Sequence, residues 1–310
     1  GIRFTSDGTT LIDFEIESYS GDSNSGSIQA WVEVPTLSAT VETDLRIHYG
    51  KTTALSDAAQ TADDLWEGKS YIVVNHLNNE IENTGSDDGA TLDQVGSIVG
   101  GNNRDDYNSQ NMDTATNRVD GIAGKAIDRN HGRTNNELVC LENTGNRECG
   151  GANPYFDNAV TSRTTSIWYK ADTIGTSNED TLQMIFEEGG STNGQNIYIY
   201  DGTLYGCTFR SNQIVCGSTL TTAGVWHHVA LVFVENGISE LWHDGVKVGS
   251  QSAGIGMSGS GNTMGGHSND DCLGANCSST EVHSSHGGDA NGVGQASVEF
   301  TGYFDGAIDE

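Results

Sequence analysis

Three acidic side chains, Asp13, Glu15 and Glu17, alternate along one predicted strand and therefore share a face. Two carboxylates about 5 Å apart are the working parts of a retaining glycosidase, one as nucleophile and one as acid. The plainer alternative is a strand face turned to solvent. A second group lies near the end of the chain, where His267, Asp270, Asp271, His283, His286 and Asp289 fall in a Gly- and Ser-rich passage. Imidazoles there suit zinc or copper, although His283 and His286 are three apart with no helix to align them, and a polar loop face is the competing reading. Calcium is the better metal for such loops, because it takes oxygens from carboxylates, carbonyls and water. Candidate calcium ligands are Asp270, Asp271 and Asp289 in that passage, with Asp128 and Asp305 at strand ends. No EF-hand spacing, Ser-His-Asp motif, phosphate loop or dinucleotide fingerprint occurs.

The six cysteines carry a different kind of information. Cys140 and Cys149, Cys207 and Cys216, and Cys272 and Cys277 are each separated by an odd number of residues. Each pair is also symmetric about a plausible two-residue turn, at Thr144-Gly145, Ser211-Asn212 and Gly274-Ala275. Directly opposed residues of a hairpin stand close enough to bridge, so these three local disulfides are expected. The clustered short spacings of a zinc site are missing. Disulfides imply an oxidising compartment, and the expected location is extracellular, cell-surface or periplasmic.

These residues are held by short strands. The chain centres on Val225 to Gly249, where a β-branched and aromatic run breaks at Asn236-Gly237 and again at Asp244-Gly245, the strongest hairpin signals in a sequence. A three-strand antiparallel meander follows. Counting out from two-residue turns places Val232 opposite Leu241 and Leu231 opposite Trp242, then Trp242 opposite Lys247 and Leu241 opposite Val248. The first strand is apolar at both parities and is expected to be covered on both sides. Further strands are expected at 124–129, 137–142, 165–170, 181–187, 196–200, 203–209 and 213–218, with Tyr198 and Tyr200 on one face and Ile197 and Ile199 on the other. Residues 85–117 are rich in Asn, Asp and Gly and read as a long loop.

Trp226, His227, His228, Val229 and Ala230, followed by Trp242, Asp244 and Gly245, resemble the core of laminin-G-like, concanavalin-type jelly rolls. Ser166 to Lys170 resembles an earlier strand of that family, and Phe304 to Glu310 its closing strand. The resemblance spans roughly 70–310 and implies His227 and His228 as strand residues, one ring inward and one outward. It also implies that Tyr71 to Leu77 is a strand pairing near the last. The fold hosts lectins, adhesion modules and glycosidases alike. Glycosidases of the laminarinase type share it, but their leading glutamate would fall where Leu11 stands. Arg3-Phe4, Phe14 to Glu17, Ala30 to Pro35 and Ile47 to Gly50 resemble an uncharacterised β module that precedes such jelly rolls in bacterial and archaeal envelope proteins. Its first strands are expected to lie before Gly1, so that the sequence is a segment of something longer.

The expected fold class is therefore all-β, an antiparallel jelly-roll sandwich at 69–310 with a smaller N-terminal β unit at 1–68 and a polar connector near 54–65. Lys and Arg number 14 against 43 Asp and Glu, a formal charge of −29. Such a charge repels nucleic acid and anionic membranes, and no stretch reads as a membrane span. The expected function is a non-catalytic secreted or cell-surface module that binds glycan or protein through jelly-roll loops. A self-associating structural subunit of a filament or surface layer, and a glycosidase, are the alternatives.

Overall fold

The computed structural model describes residues 1–21, 25–50, 65, 66, 69, 71, 74, 76, 77, 88–92, 106–110, 118–129, 138–140, 161–174, 182–189, 193–210, 213–234, 238–252, 263, 264, 304 and 306–309. The chain divides into two compact units, one of residues 1–76 and 93–104, the other of 77–92 and 105–310. Every strand pairing among the described residues is antiparallel.

In the first unit, β1 (Arg3–Thr5), β2 (Leu11–Ile12) and β5 (Arg46–His48) form one sheet with β1 central. A separate ribbon joins β3 (Phe14–Gly21) to β4 (Gly26–Val32). Phe4 and Phe14 meet with ring centroids 5.0 Å apart, and Thr5, Ile12 and Phe14 are buried. Asp7 closes the β1–β2 connection by accepting from the backbone N–H groups of Thr9 and Thr10 at 2.7 and 2.6 Å. Leu65 and Trp66 lie in a helical segment and, with Val74, form a second apolar cluster against Trp31. The expected strand at Tyr71 to Leu77 is not borne out, since the described residues 71, 74, 76 and 77 are not extended into a ladder and Leu77 has φ +51°.

The second unit is a two-sheet sandwich. One sheet runs β15-β14-β13-β12-β19-β10-β7-β6, from Gln213–Leu220, Thr203–Arg210, Asn193–Tyr200, Leu182–Gly189, Thr263–Met264, Leu138–Cys140, Asp106–Gln110 and Asp88–Leu92 in that order. The other runs β18-β17-β16-β11-β20-β9-β8, from Val246–Ser252, Ile238–His243, His227–Val234, Ser162–Ala171, Gly306–Asp309, Lys125–Arg129 and Arg118–Asp120. The 85–117 stretch thus holds two strands where a loop was expected. Their sequences, DGATL and DYNSQ, carry no apolar alternation, and what pairs them is the backbone ladder at the margin of the sheet.

The register of the meander differs from the two-residue count. Strand β16 ends at Val234 and β17 begins at Ile238, so three residues intervene, and Leu231 faces Leu241 while Val232 faces Glu240. The physical reason is parity. Directly opposed residues share a face, and this register, unlike one slipped by a single residue, puts Leu241 with Val229, Leu231 and Phe233 on the buried side. The second turn holds to expectation, with Asp244 and Gly245 both at positive φ, 50° and 76°, and Trp242 opposite Lys247. A bulge then sets Leu241 opposite Gly249 in place of Val248. Strand β16 is central but is buried on one face only, its Ala230 and Val232 side being half exposed.

The sheets pack through small residues. A Cβ added at Gly206 would stand 2.5 Å from Leu241 Cδ1, and one at Gly217 2.7 Å from Leu241 Cβ. Gly206 and Gly217 are cross-strand partners, so together they form a trough that receives the leucine. Beside it Gly249 approaches the Gly217 backbone directly. Two polar contacts cross the interior, Gln195 Nε2 donating to Thr165 Oγ1 at 2.8 Å and Thr208 Oγ1 lying 3.2 Å from Ser239 Oγ. On the other face of the first sheet, Tyr198 stacks on Tyr205 at 5.1 Å and packs with Met184 and Cys207. Strand β13 is therefore buried on both faces, which its alternating Tyr and Ile pattern does not distinguish from burial on one.

Cys207 and Cys216 form a disulfide between directly opposed residues, as their symmetry about 211 and 212 implied. Cys149, Cys272 and Cys277, and the side chain of Cys140, lie outside the described residues. A Gly249→Ala variant should lower stability by roughly 1–3 kcal/mol, because its Cβ would meet the Gly217 Cα at 2.5 Å. Thermal or denaturant unfolding reads this, and an unchanged midpoint would show that the sheets are not pressed together at that seam.

Candidate functional site

Two constellations of titratable side chains are built by these elements, one in each unit. In the first unit Glu15 and Glu17 lie two positions apart on β3, whose pairing with β4 shifts register between Ile16 and Ser18. They bracket His76, whose Nε2 lies 3.0 Å from Glu15 Oε2 and whose Nδ1 lies 3.4 Å from Glu17 Oε2. Two tryptophans complete the cage. Trp66 Nε1 donates to Glu15 Oε2 at 2.7 Å, Trp31 Nε1 donates to Glu17 Oε2 at 3.2 Å, and the Trp31 ring stacks on His76 at 5.7 Å. The His76 and Glu17 side chains are each 2% exposed. The solvated strand face considered for these carboxylates is thus corrected, because indole N–H groups and an imidazole satisfy them inside the unit. Asp13, nearer the surface, shares Lys69 with Glu33 at 3.6 and 3.0 Å.

Burial acts to raise the Glu15 pKa, but hydrogen bonds from His76 and Trp66 and the attraction of His76 outweigh it and leave the carboxyl below its ordinary value. Substrate would have to displace these partners, so the arrangement works as a cross-link between β3 and the segment carrying Trp66 and His76.

In the second unit the turn after β17 brings together His227, His243 and Asp244. His227 opens β16 and His243 closes β17, and both rings lie on the inner face because they keep the parity of Leu231 and Leu241. His227 Nδ1 lies 2.8 Å from Asp244 Oδ2, and His243 Nδ1 lies 3.8 Å from the same oxygen. Asp244 Oδ1 accepts from the His228 backbone N–H at 2.9 Å. The far nitrogens meet hydroxyls, His227 Nε2 with Thr222 Oγ1 at 2.9 Å and His243 Nε2 with Tyr169 OH at 3.0 Å. Tyr169 OH in turn lies 2.7 Å from Thr221 Oγ1.

Burial, joined by the Asp244 charge, pushes the Tyr169 phenol above the ordinary range despite its Thr221 hydrogen bond. Burial likewise holds the His243 imidazole low against the opposing charge of Asp244, with the neighbouring His227 and His228 acting in the same direction as burial. Asp244 is held low even against its partial burial, by the His228 N–H, the His227 hydrogen bond and the adjacent imidazoles. His227 points inward and His228 outward toward Ser166 and Trp168, the arrangement read from the sequence.

The loop residues singled out from the sequence, His267, Asp270, Asp271, His283, His286 and Asp289, lie outside the described residues, as does Asp305. Asp128 is placed, half buried on β9 opposite Ala307 of β20. Sequence reading passed over His76 and His243. His243 was discoverable, since it follows Leu241 by two positions and so shares its face, whereas His76 is far in sequence from the carboxylates it joins.

Residues 1–116 match the family model described as a domain of unknown function, DUF2341. None of the curated proteins matches the chain. Among solved structures, part of the chain is similar to a native heptameric SAP-like pentraxin from Limulus polyphemus, at 18% identity, 49% of this chain, 63% of that one and a TM-score of 0.33. It is similar also to the CBM40 of Ruminococcus gnavus IT-sialidase bound to alpha2,3 sialyllactose, at 18% identity, 49% of this chain, 74% of that one and a TM-score of 0.32. A third is the binding domain of Paraclostridial Mosquitocidal Protein 1, at 16% identity, 64% of this chain, 45% of that one and a TM-score of 0.43. The chain thus spans less than two thirds of the length of the pentraxin and of the mosquitocidal protein's binding domain. Among the described residues no helix is long and apolar enough to cross a membrane.

Because the folded Glu15 pKa is depressed, its contribution to stability is present above the unfolded value and lost as pH falls through the folded one. Glu15→Gln should therefore melt below the parent protein at neutral pH. The gap should close as the pH is lowered past about 4, where the unfolded carboxyl titrates. A gap that is the same at every pH would assign the effect to packing and not to the ionised carboxylate.

Proposed function

We propose that this chain is a non-catalytic binding module of an extracellular, cell-surface or periplasmic protein, recognising glycan or protein through loops carried by its jelly roll. The observation that carries this reading is the length of sequence between β19, in one sheet, and β20, in the other, residues 265–305, of which only Phe304 is among the described residues. Short connections suffice between neighbouring strands, and long ones on a rigid scaffold are where binding residues concentrate. This one holds His267, Asp270, Asp271, His283, His286 and Asp289. The laminin-G-like resemblance of 226–245 points the same way, and so does the Cys207–Cys216 disulfide for the compartment. Against a glycosidase stands the state of Glu15 and Glu17, whose Oε2 atoms are held by His76, Trp66 and Trp31.

Binding is tested on a glycan array and by surface plasmon resonance against extracellular proteins. A variant with His283, His286 and Asp289 replaced by alanine should lose the ligand while melting as the parent does. Retained binding in that variant, or release of reducing sugar by the parent that Glu15→Gln abolishes, would overturn the reading.

Calcium is proposed as the ion of these acidic loops, with Asp128, Asp270, Asp271, Asp289 and Asp305 as the candidate ligands. A ligand that binds only the folded state stabilises it by about 2.7 kcal/mol at a hundredfold excess over Kd. Millimolar calcium added to chelator-treated protein should raise the melting temperature more than magnesium does, since magnesium dehydrates reluctantly. Equal shifts would reduce the effect to charge screening.

A further inference from the structure

We propose that His227, His243 and Asp244 form a site for one zinc-class divalent transition-metal ion, separate from the acidic loops. One donor nitrogen of each imidazole and a carboxylate oxygen of Asp244 lie within 4.8 Å of one another. Two donors bound to one zinc at about 2.0–2.2 Å stand roughly 3.3–3.5 Å apart in tetrahedral geometry. The pairs to Asp244 Oδ2, 2.8 Å from His227 Nδ1 and 3.8 Å from His243 Nδ1, straddle that value. An ion would enter by small side-chain rotations, with no change of strand register.

The surroundings match what a metal requires. A histidine that ligates through one nitrogen needs its other N–H held by an acceptor, which fixes the tautomer and aims the ring. Hydroxyl oxygens stand in that position for both imidazoles, Thr222 Oγ1 at His227 Nε2 and Tyr169 OH at His243 Nε2, and the Tyr169 O–H can in turn donate to Thr221 Oγ1. With both Nε2 atoms protonated, both Nδ1 lone pairs would face the carboxylate, and a cation would then take the place of the hydrogen bond between His227 Nδ1 and Asp244 Oδ2. Asp244 is fixed through Oδ1 by the His228 N–H, leaving Oδ2 for the ion.

Two nitrogens and one oxygen favour zinc, copper or nickel over calcium and magnesium, which take oxygen donors. The two imidazole side chains are 11% exposed and that of Asp244 46%. The ion therefore approaches from the turn, and a fourth position stays open to water or to a donor from a partner. This inference does not rest on the loop-binding reading, because none of its residues belongs to 265–305.

The test uses zinc chloride and chelator-treated protein, with affinity measured by competition against a chromophoric chelator and cobalt absorption as the spectroscopic check. We expect one tight equivalent that raises the melting temperature. Asp244→Asn keeps a residue suited to positive φ and an oxygen for the His228 N–H, and should weaken zinc beyond the roughly 10- to 100-fold that loss of an outer hydrogen-bond partner costs. Thr222→Val, at an exposed position, should weaken zinc by about 10-fold and Thr222→Ser should restore it, a pattern that a hydroxyl with no part in binding would not give. His243→Gln serves in place of Asp244→Asn if that variant does not fold. Absence of binding below millimolar zinc, affinity unmoved by Asp244→Asn or His243→Gln, or binding abolished instead by alanine at His267, His283 and His286, would overturn the proposal.

Discussion

Leu241 can enter the sandwich only because Gly206 and Gly217, paired across β14 and β15, leave a trough where other residues would place a Cβ. Burying a leucine is worth about 1.5–3 kcal/mol, and a one-residue slip would forfeit it together with every other inward side chain of β17. The trough thereby selects the register of the meander. Once Leu241 points inward, the period of two carries Ser239 and His243 inward as well, Ser239 to Thr208 and His243 to Tyr169. The histidine cluster is a consequence of where the leucine fits. Gly249, pressed against the Gly217 backbone, explains the bulge on β18, because the residue opposite Leu241 must have no side chain.

The first unit encloses two acidic residues side by side. At a net charge of −29 most carboxylates must face water. Glu15 and Glu17 do not, and an unpaired buried carboxylate would cost several kcal/mol. Indole donors from Trp31 and Trp66 and the imidazole of His76 offset that cost by converging on the Oε2 atom of each carboxylate. The aromatic rings have a second role in excluding water, which strengthens each of these hydrogen bonds. This is a polar core in a unit too small for a large apolar one, since its described buried hydrophobics are Ile12, Phe14, Leu65, Trp66 and Val74.

Much of the second unit was legible because its signals are local. Asp244-Gly245 specifies its own turn through positive φ, and the spacing of Cys207 and Cys216 encodes a directly opposed pair. What escaped reading depends on partners distant in sequence. The strands DGATL and DYNSQ are held by their neighbours' backbones, not by a pattern of their own. Asn236-Gly237 read as a two-residue turn, yet burial of Leu241 required one more residue in the connection. The carboxylates of β3 were visible as a set, but their meaning depended on His76, some sixty positions away in sequence. Composition could report their charge and could not report that it is enclosed.

Position 244 shows how one residue can answer to two constraints. The turn requires a residue tolerant of φ near +50°, and asparagine would serve it as well as aspartate. Nor does the backbone hydrogen bond from His228 decide between them, because an amide oxygen also accepts it. What aspartate adds is a full negative charge facing His227 and His243. That charge has consequences on both sides of the strand, since it raises the Tyr169 pKa within the interior and acts to raise that of His228 outside it. An anion held this close to two inward imidazoles, on a turn whose shape does not need it, is best accounted for by something positive that it and the imidazoles share. Where the metal is absent, the proton between His227 and Asp244 is the smallest such species.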